Sequence, residues 1–268
     1  IGNLEDLSAR AVRVLGEVEL VLAEDTRRVR TLLSALGITV PVESFHGDTH
    51  PDKRARLVVR LTAGARMALA SDAGTPVLAD PGAALVAEAA AAGVTVSPIP
   101  GPSAVTAALS VCGFGGDRFE FAGYAPRRAE KRREFLNAAV RSPVTTVLFE
   151  TPHRLRACLD DLRTVAGDDQ SLVLCRELTK LHEEILRGTV ADVIARFASD
   201  EPRGEITIVL PAGPGAEAAS GTDEEAIRSA VARLLKLGVG TKDAASILAE
   251  LTGRARKGMY ALVLELRE

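Results

Sequence analysis

The stretch Arg66-Met67-Ala68-Leu69-Ala70-Ser71-Asp72-Ala73-Gly74-Thr75-Pro76-Val77-Leu78-Ala79-Asp80-Pro81-Gly82 decides the fold. Its apolar start, 66–71, reads as a buried strand, and the Ala-rich run after it, 82–92, as a helix. The loop between them carries Gly74 and two prolines. Strand, loop and helix in that order form the repeating unit of an α/β protein. A loop at the carboxyl end of a parallel strand is where such sheets bind ligands. Gly74 lets a ligand approach the backbone, while Pro76 and Pro81 fix the path of the loop. Asp72 and Asp80 can accept from hydroxyl or ammonium groups. An ordinary turn with Asp80 as the helix N-cap accounts for the same residues, and chemistry alone favours neither reading.

The same alternation continues on both sides. Strands are predicted over 19–23, 66–71, 94–98, 119–122, 145–150, 171–177 and 205–210. Helices are predicted over 7–16, 26–36, 52–63, 82–92, 103–111, 129–141, 152–165 and 190–197. This pattern predicts α/β architecture with mostly parallel sheets. Cys112-Gly113-Phe114-Gly115-Gly116 separates a first lobe, 1–114, from a second, 115–212. The Pro/Gly-rich segment 213–222 reads as a linker. Beyond it, 223–268 carries three short helical patterns, 223–237, 242–251 and 256–266, as a small helical domain.

Of the 268 residues, 47% are hydrophobic, 26% charged and only 3% aromatic, with no Trp. That composition supports a globular chain with an aliphatic core. The formal charge of −3 excludes a uniformly basic nucleic-acid binder but not a local basic patch. Three cysteines (112, 158, 175) without CxxC spacing read as buried thiols in a reducing cytosol. No stretch of 18 apolar residues suggests a membrane span, and no signal peptide is seen. The chain opens at Ile1-Gly2-Asn3, which reads as mid-motif. GxxxxGK[ST], GxGxxG, HExxH and GxSxG are all missing, so ATP, NAD, metal and serine-hydrolase chemistry are disfavoured.

Other polar clusters sit where predicted strands end. Pro98-Ile99-Pro100-Gly101-Pro102-Ser103-Ala104 is a stiff turn with Ser103 placed as an N-cap. Glu24-Asp25-Thr26-Arg27-Arg28, Glu150-Thr151-Pro152-His153-Arg154 and Arg176-Glu177-Leu178-Thr179-Lys180 each set carboxylate beside cation. Capping explains any one of them; three on one sheet edge point to a shared cleft. Two basic windows stand out. Arg118–Arg133 holds six cations against two acids, and Arg254-Ala255-Arg256-Lys257 holds three with no acid nearby. Guanidinium groups grip phosphate bidentately.

Taken in order, IGNLEDLSARA, AEDTRR, SDAGTPVLADPG, PGPSA, FxFxGYAPRR, FETPHR, RELTK and RGEITIVL resemble the ribosomal RNA small subunit methyltransferase I family. That family is a branch of the tetrapyrrole-methylase-like superfamily. The resemblance runs from Ile1 to about Pro211, and the helical tail fits it. It implies two α/β lobes with S-adenosylmethionine in the cleft between them, plus a small C-terminal helical domain. The implied reaction is 2′-O-methylation of a cytidine in the decoding region of small-subunit (16S) rRNA. A cytoplasmic homodimer without metal is implied as well.

Carried over by residue, Ile1, Gly2 and Asn3 belong to an N-terminal cofactor loop. Asp72, Ala73, Gly74 and Thr75 wrap the methionine portion, and Ser103 and Ala104 lie near the methyl donor. Phe149, Glu150, Glu177, Leu178 and Glu205 line the adenosine side. Deprotonating a ribose hydroxyl calls for a base, with Asp25, Glu177 and a neutral Lys180 as candidates; Arg27 or Lys180 could hold the neighbouring phosphate. Arg127, Arg128, Lys131, Arg132, Arg133, His153, Arg154, Arg254, Arg256 and Lys257 are expected to contact rRNA. Two rival readings stand beside this one: a small-molecule methylase of the tetrapyrrole type, disfavoured by the basic windows, and a non-catalytic rRNA-binding assembly factor, disfavoured by the intact SDAGTP and PGPSA segments.

Overall fold

The computed structural model describes residues 1–198, 202–213, 224–252 and 255–267. They fall into two compact units. One joins Ile1–Val140 with Thr145–Pro211; the other joins Arg141–Val144 with the chain from Ala212 onward.

The first unit contains two sheets. The smaller is built from β1 (Leu20–Ala23), β2 (Val42–Ser44) and β3 (Met67–Ala70), all parallel, in the order β2-β1-β3. Leu20, Leu22, Phe45, Leu57 and Leu85 pack together, while Val21, Ala23, Val29 and Leu33 form a separate cluster. Alternate residues of β1 thus enter different clusters, as side chains on opposite sheet faces must. Helices α1 (Ala9–Glu17), α2 (Thr26–Ala35), α3 (Pro51–Thr62) and α4 (Ala83–Ala91) accompany these strands. Burial on both faces explains why β1 is continuously apolar.

The larger sheet contains β4 (Phe119–Tyr124), β5 (Thr145–Glu150), β6 (Ser171–Arg176), β7 (Glu184–Thr189) and β8 (Ile206–Leu210), in the order β4-β5-β8-β6-β7. Its residues also alternate. Leu148, Leu172, Leu174, Ile206, Ile208 and Leu210 pack with α6 (Ala129–Arg141), α7 (Pro152–Ala166) and α8 (Val190–Arg196). Val147, Val173, Cys175 and Val209 pack with α5 (Ala104–Cys112), which ends at Gly113 in a left-handed conformation. Helix α5 therefore lies on the larger sheet although it precedes the Cys112–Gly116 break.

The mostly parallel expectation holds for the smaller sheet only. In the larger one, β4–β5 is parallel, but β5–β8, β8–β6 and β6–β7 are antiparallel. Two strands went unpredicted, the three-residue β2 and the edge strand β7, whose Glu184 and Arg187 interrupt its apolar pattern. The predicted strand at 94–98 joins neither sheet. It runs into Pro98, Pro100 and Pro102, which lack ladder donors.

In the second unit, α9 (Glu224–Lys236), α10 (Thr241–Thr252) and α11 (Arg256–Glu265) close around Ile227, Val231, Ala244, Leu248, Met259 and Val263. Most of the expected linker, 214–222, lies outside the described residues. No described helix is long and apolar enough to cross a membrane. All three cysteines are buried and free. Burial pushes Cys158 up to about 12 and Cys175 up to about 11, which leaves both thiols inert.

Candidate active site

A cavity of about 390 Å³ opens in the first unit. Its lining comes from the end of β1 and the start of α2 (Glu24, Arg28), the loop after β3 (Asp72, Ala73, Gly74, Thr75, Leu78, Ala79, Asp80) and the start of α5 (Ser103, Ala104, Val105). Ile1, Tyr124, Phe149, Glu150, Thr151, Pro152 and the segment Gly204–Thr207 complete it. Five carboxylates thus face a single guanidinium, Arg28, a balance suited to a cationic ligand.

The loop after β3 holds an unusual shape. Val77 and Ala79 sit at φ 77° and 63°, and Gly82 at φ 134°. A Cβ on Gly82 would collide with Leu69. Strain of this kind persists where the surroundings over-determine the backbone. Asp72 ties the loop to the neighbouring strand end: its Oδ1 accepts Asp25 N–H at 2.9 Å, and its Oδ2 lies 3.6 Å from Arg28 Nη1. Asp80 does not cap α4, whose N-cap is Gly82. Burial pushes the Asp80 carboxyl up to about 6, with Glu24, Asp72 and Glu205 adding to the shift and the Ser71 hydroxyl opposing it.

Ser103 stands at the N-cap of α5, but its hydroxyl makes no cap bond. It lines the cavity with Ala104 instead. Phe149 packs edge-on against Tyr124, with ring centroids 5.6 Å apart. Glu150 is buried; its Oε1 accepts Thr151 N–H at 2.8 Å and pairs with Arg154 Nε at 3.4 Å.

The expected cofactor residues largely come together: Ile1, Asp72, Ala73, Gly74, Thr75, Ser103, Ala104, Phe149, Glu150 and Glu205 all line the cavity. Four lie behind it. Asn3 caps a short 3-10 turn, its side chain accepting Glu5 N–H at 3.0 Å. Gly2 packs against Lys180. Leu178 is buried in the same cluster as Ile1. Glu177, at φ 50°, accepts Glu205 N–H and the Lys180 ammonium, each at 2.9 Å. Sequence reasoning assigned no ligand role to Glu24, Arg28 or Thr207. Each follows or sits within a segment already singled out, but nothing in the local pattern shows which way its side chain turns.

None of Asp25, Arg27, Glu177 and Lys180 lines the cavity. Asp25 caps α2 by accepting Arg27 N–H at 2.8 Å; that bond and the Arg27 guanidinium hold it below its ordinary value. Lys180 also reaches Glu205 at 3.2 Å. Burial works to lower its ammonium, but Glu177 and Glu205 outweigh it and hold the group above its ordinary value. The neutral-lysine expectation is disfavoured by this setting, in which Lys180 is held between two carboxylates.

Two expected RNA-contact residues are corrected too. Arg132 is buried in a pair with Asp161 at 2.6 Å, and its Nη1 donates to Arg127 O at 3.2 Å. Arg154 is spent on Glu150 and the Ala125 carbonyl. A phosphate could reach neither without breaking these bonds. Arg127, Arg128, Lys131, Arg133, His153, Arg256 and Lys257 are exposed. Arg254 lies outside the described residues. Among the described residues no three or more His, Cys, Asp or Glu side chains gather in a group that could hold a metal.

The sequence matches the family model of tetrapyrrole (corrin/porphyrin) methylases over residues 1–194. The chain belongs to this family. Within it, the ribosomal RNA small subunit methyltransferase I proteins are similar over nearly the whole length. The Xylella fastidiosa (strain Temecula1) protein is 42% identical over 97% of this chain and 94% of its own length. The Mycobacterium tuberculosis protein is 40% identical over 100% of this chain and 93% of its own. The Thermotoga maritima protein is 43% identical over 78% of this chain but 94% of its own. Solved tetrapyrrole-methylase-type structures share the fold at lower identity. Diphthine synthase superposes with TM-score 0.59 at 17% identity, covering 78% of this chain and 86% of its own. Cobalt precorrin-4 methyltransferase gives 0.58 at 17%, covering 78% and 90%. This member of the methylase family is a methyltransferase, and its fold is the two-sheet α/β architecture with a helical C-terminal region.

Proposed function

We propose that the chain transfers a methyl group from S-adenosylmethionine to small-subunit rRNA, at the ribose 2′-OH of a cytidine in the decoding region. The observation that carries the reading is the acid-rich cavity built from the SDAGTP loop, the start of α5 and the Phe149–Glu150 strand end. The residues fit the donor: five carboxylates suit its cationic sulfonium, and Phe149 with Tyr124 offers aromatic surface for an adenine ring. When bound, S-adenosylmethionine supplies an electrophilic methyl group with its leaving group already in place.

The chain's own work is positioning. Asp72, Gly74 and Thr75 would hold the methionine portion, Ser103 and Ala104 the region of the reacting carbon, and Phe149, Glu150 and Glu205 the nucleoside. A reacting oxygen must be held in line at about 3 Å. The exposed cations Arg127, Arg128, Lys131 and Arg133 would hold rRNA phosphates, as would Arg256 and Lys257 of the helical unit. The likeness to rRNA methyltransferases over nearly the full chain favours this reading over a small-molecule methylase. A homodimer in the cytoplasm is part of the proposal.

Mass spectrometry of rRNA nucleosides tests it. Deleting the gene is expected to remove one 2′-O-methylcytidine from small-subunit rRNA, and the purified chain with S-adenosylmethionine to restore it. An unchanged nucleoside profile would overturn the reading.

A further inference from the structure

Lys180 lies behind the cavity, on a turn that follows β6 and is built under strain. Glu177 and Thr179 sit there at φ 50° and 67°. Such strain persists only where the surroundings over-determine the backbone. Glu177 and Glu205 exchange two bonds: Glu177 N–H donates to Glu205 O, and Glu205 N–H donates to Glu177 Oε1, each at 2.9 Å. Lys180 N–H closes the turn on Glu177 O at 2.9 Å, and its ammonium donates to the same Oε1, also at 2.9 Å. Thr179 N–H donates to Glu183 Oε2 at 2.6 Å. A Cβ on Gly204 would collide with the Glu177 carboxylate, and one on Gly2 with the Lys180 stem. Three separate segments therefore meet at the Glu177–Lys180 pair: the chain start, the turn after β6 and the approach to β8.

Two of those segments carry cavity wall, through Ile1 and through Gly204 and Glu205. Glu205 is the residue that most needs holding. Its side chain is 55% exposed, and Lys180 Nζ lies 3.2 Å from its Oε2. The backbone N–H of the same residue is fixed by Glu177. One glutamate thus has both its main chain and its carboxylate set by a pair that does not line the cavity.

We propose that Lys180 is a positioning residue for the methyl donor: together with Glu177 it holds the Glu205 carboxylate at the donor cavity, without touching donor or acceptor itself. The inference rests on the donor-binding part of the function proposed above. Charge-assisted bonds of this kind fix direction as well as distance. Without the ammonium, the carboxylates of Glu177 and Glu205 would face each other uncompensated. Like charges repel, and the half-exposed Glu205 is the one free to turn away into solvent. The same commitment to two carboxylates sets Lys180 apart from a phosphate-gripping lysine, whose ammonium must be open to the ligand.

The test uses the full chain and four variants: Lys180→Met, Lys180→Arg, Glu205→Gln and the double variant Lys180→Met/Glu205→Gln. Methionine keeps an unbranched stem against Gly2 and removes only the ammonium. Calorimetric affinity for S-adenosylmethionine is measured first, then kcat and KM for donor and for unmethylated small ribosomal subunits, with urea midpoints as the check on folding. Lys180→Met and Glu205→Gln are each expected to weaken donor binding at least fivefold. The double variant is expected to be no weaker than the weaker single one, because Lys180 acts through Glu205. Lys180→Arg, which keeps the charge, is expected to stay within threefold of wild type. In Lys180→Met the donor KM should rise, with kcat at saturating donor and KM for subunits changed less than threefold.

Wild-type donor affinity in Lys180→Met overturns the proposal. So do losses that multiply in the double variant, an Lys180→Arg variant as weak as Lys180→Met, and a Lys180→Met variant in which KM for subunits rises instead, the signature of a phosphate contact. Should Lys180→Met fail to fold, Glu205→Gln still decides, since wild-type donor affinity there leaves Lys180 nothing to position. Wild type that binds donor yet methylates no subunit RNA overturns the rRNA reading but leaves the affinity cycle standing. Wild type that binds no S-adenosylmethionine overturns both.

Discussion

The aliphatic stem of Lys180 fills the space that a Cβ on Gly2 would need. Gly2 holds φ at 109°, and the Lys180 ammonium is pinned between Glu177 and Glu205. Gly2→Ala therefore strains the backbone and displaces a tethered side chain together. It is expected to lower the unfolding free energy by about 1–3 kcal/mol. Adding Lys180→Ala should recover the steric part alone, read as coupling in a double-mutant cycle of urea midpoints.

The Glu177–Lys180 pair predicts a two-sided pH dependence. Burial works to raise Glu177, but the Glu205 N–H and Lys180 win and hold it low. A depressed carboxyl stabilises the fold above its unfolded value and loses that contribution as pH falls through its folded value. Lys180 is held high, so its contribution is present below its unfolded value and lost as pH rises through the folded one. The stability difference between wild type and Glu177→Gln/Lys180→Met should be flat at mid pH and shrink at both extremes. A difference independent of pH would contradict the pairing.

Arg132 and Asp161 form a buried ion pair, to which Arg133 adds a bond at 3.1 Å. Asp161→Ala leaves Arg132 buried without its counter-charge and is expected to cost about 3–5 kcal/mol in urea unfolding. Arg132→Met/Asp161→Leu should cost far less, since it removes both charges.

Binding to small-subunit RNA should weaken steeply with salt, because phosphate contacts release counterions. Alanine at Arg127, Arg128 or Lys131 is expected to reduce the log–log salt slope by roughly 0.7 per lost contact. Arg256→Ala and Lys257→Ala should do the same from the helical unit. Slopes unchanged in all five variants would remove these residues from the interface.

The Thermotoga maritima relative aligns over 78% of this chain and 94% of its own length, so a shorter relative is similar to most, but not all, of this chain. A chain truncated after Gly213 is expected to fold and to bind S-adenosylmethionine with unchanged calorimetric affinity. Its affinity for small subunits should fall at least tenfold.

Much of this architecture was legible before any coordinates. The strand Thr145–Glu150 is marked by its β-branched and apolar residues Thr145, Thr146, Val147, Leu148 and Phe149, and the helix Ala129–Arg141 by its apolar stripe; both match the described bounds. The direction of strand pairing was not legible, since an apolar run reads the same parallel or antiparallel. Most cofactor-loop residues were reached through ordered motifs. What local sequence could not supply was which charges spend themselves on each other. Arg132 meets Asp161 across 29 positions, and Lys180 meets Glu205 across 25.

The position of β8 has a consequence for how the chain acquires its shape. The last strand of the first unit lies at the centre of the larger sheet, joining β5 to β6. As the chain emerges from synthesis, β4–β5 and β6–β7 can form as separate ribbons, but the sheet cannot close until residue 210 has been made. Thr146 must then find Leu210 across more than sixty residues. Closure over such separations is slow, and until it happens the inner edges of β5 and β6 are open to pairing with other chains. The late-arriving strand therefore sets the interval in which those two edges stay unpaired.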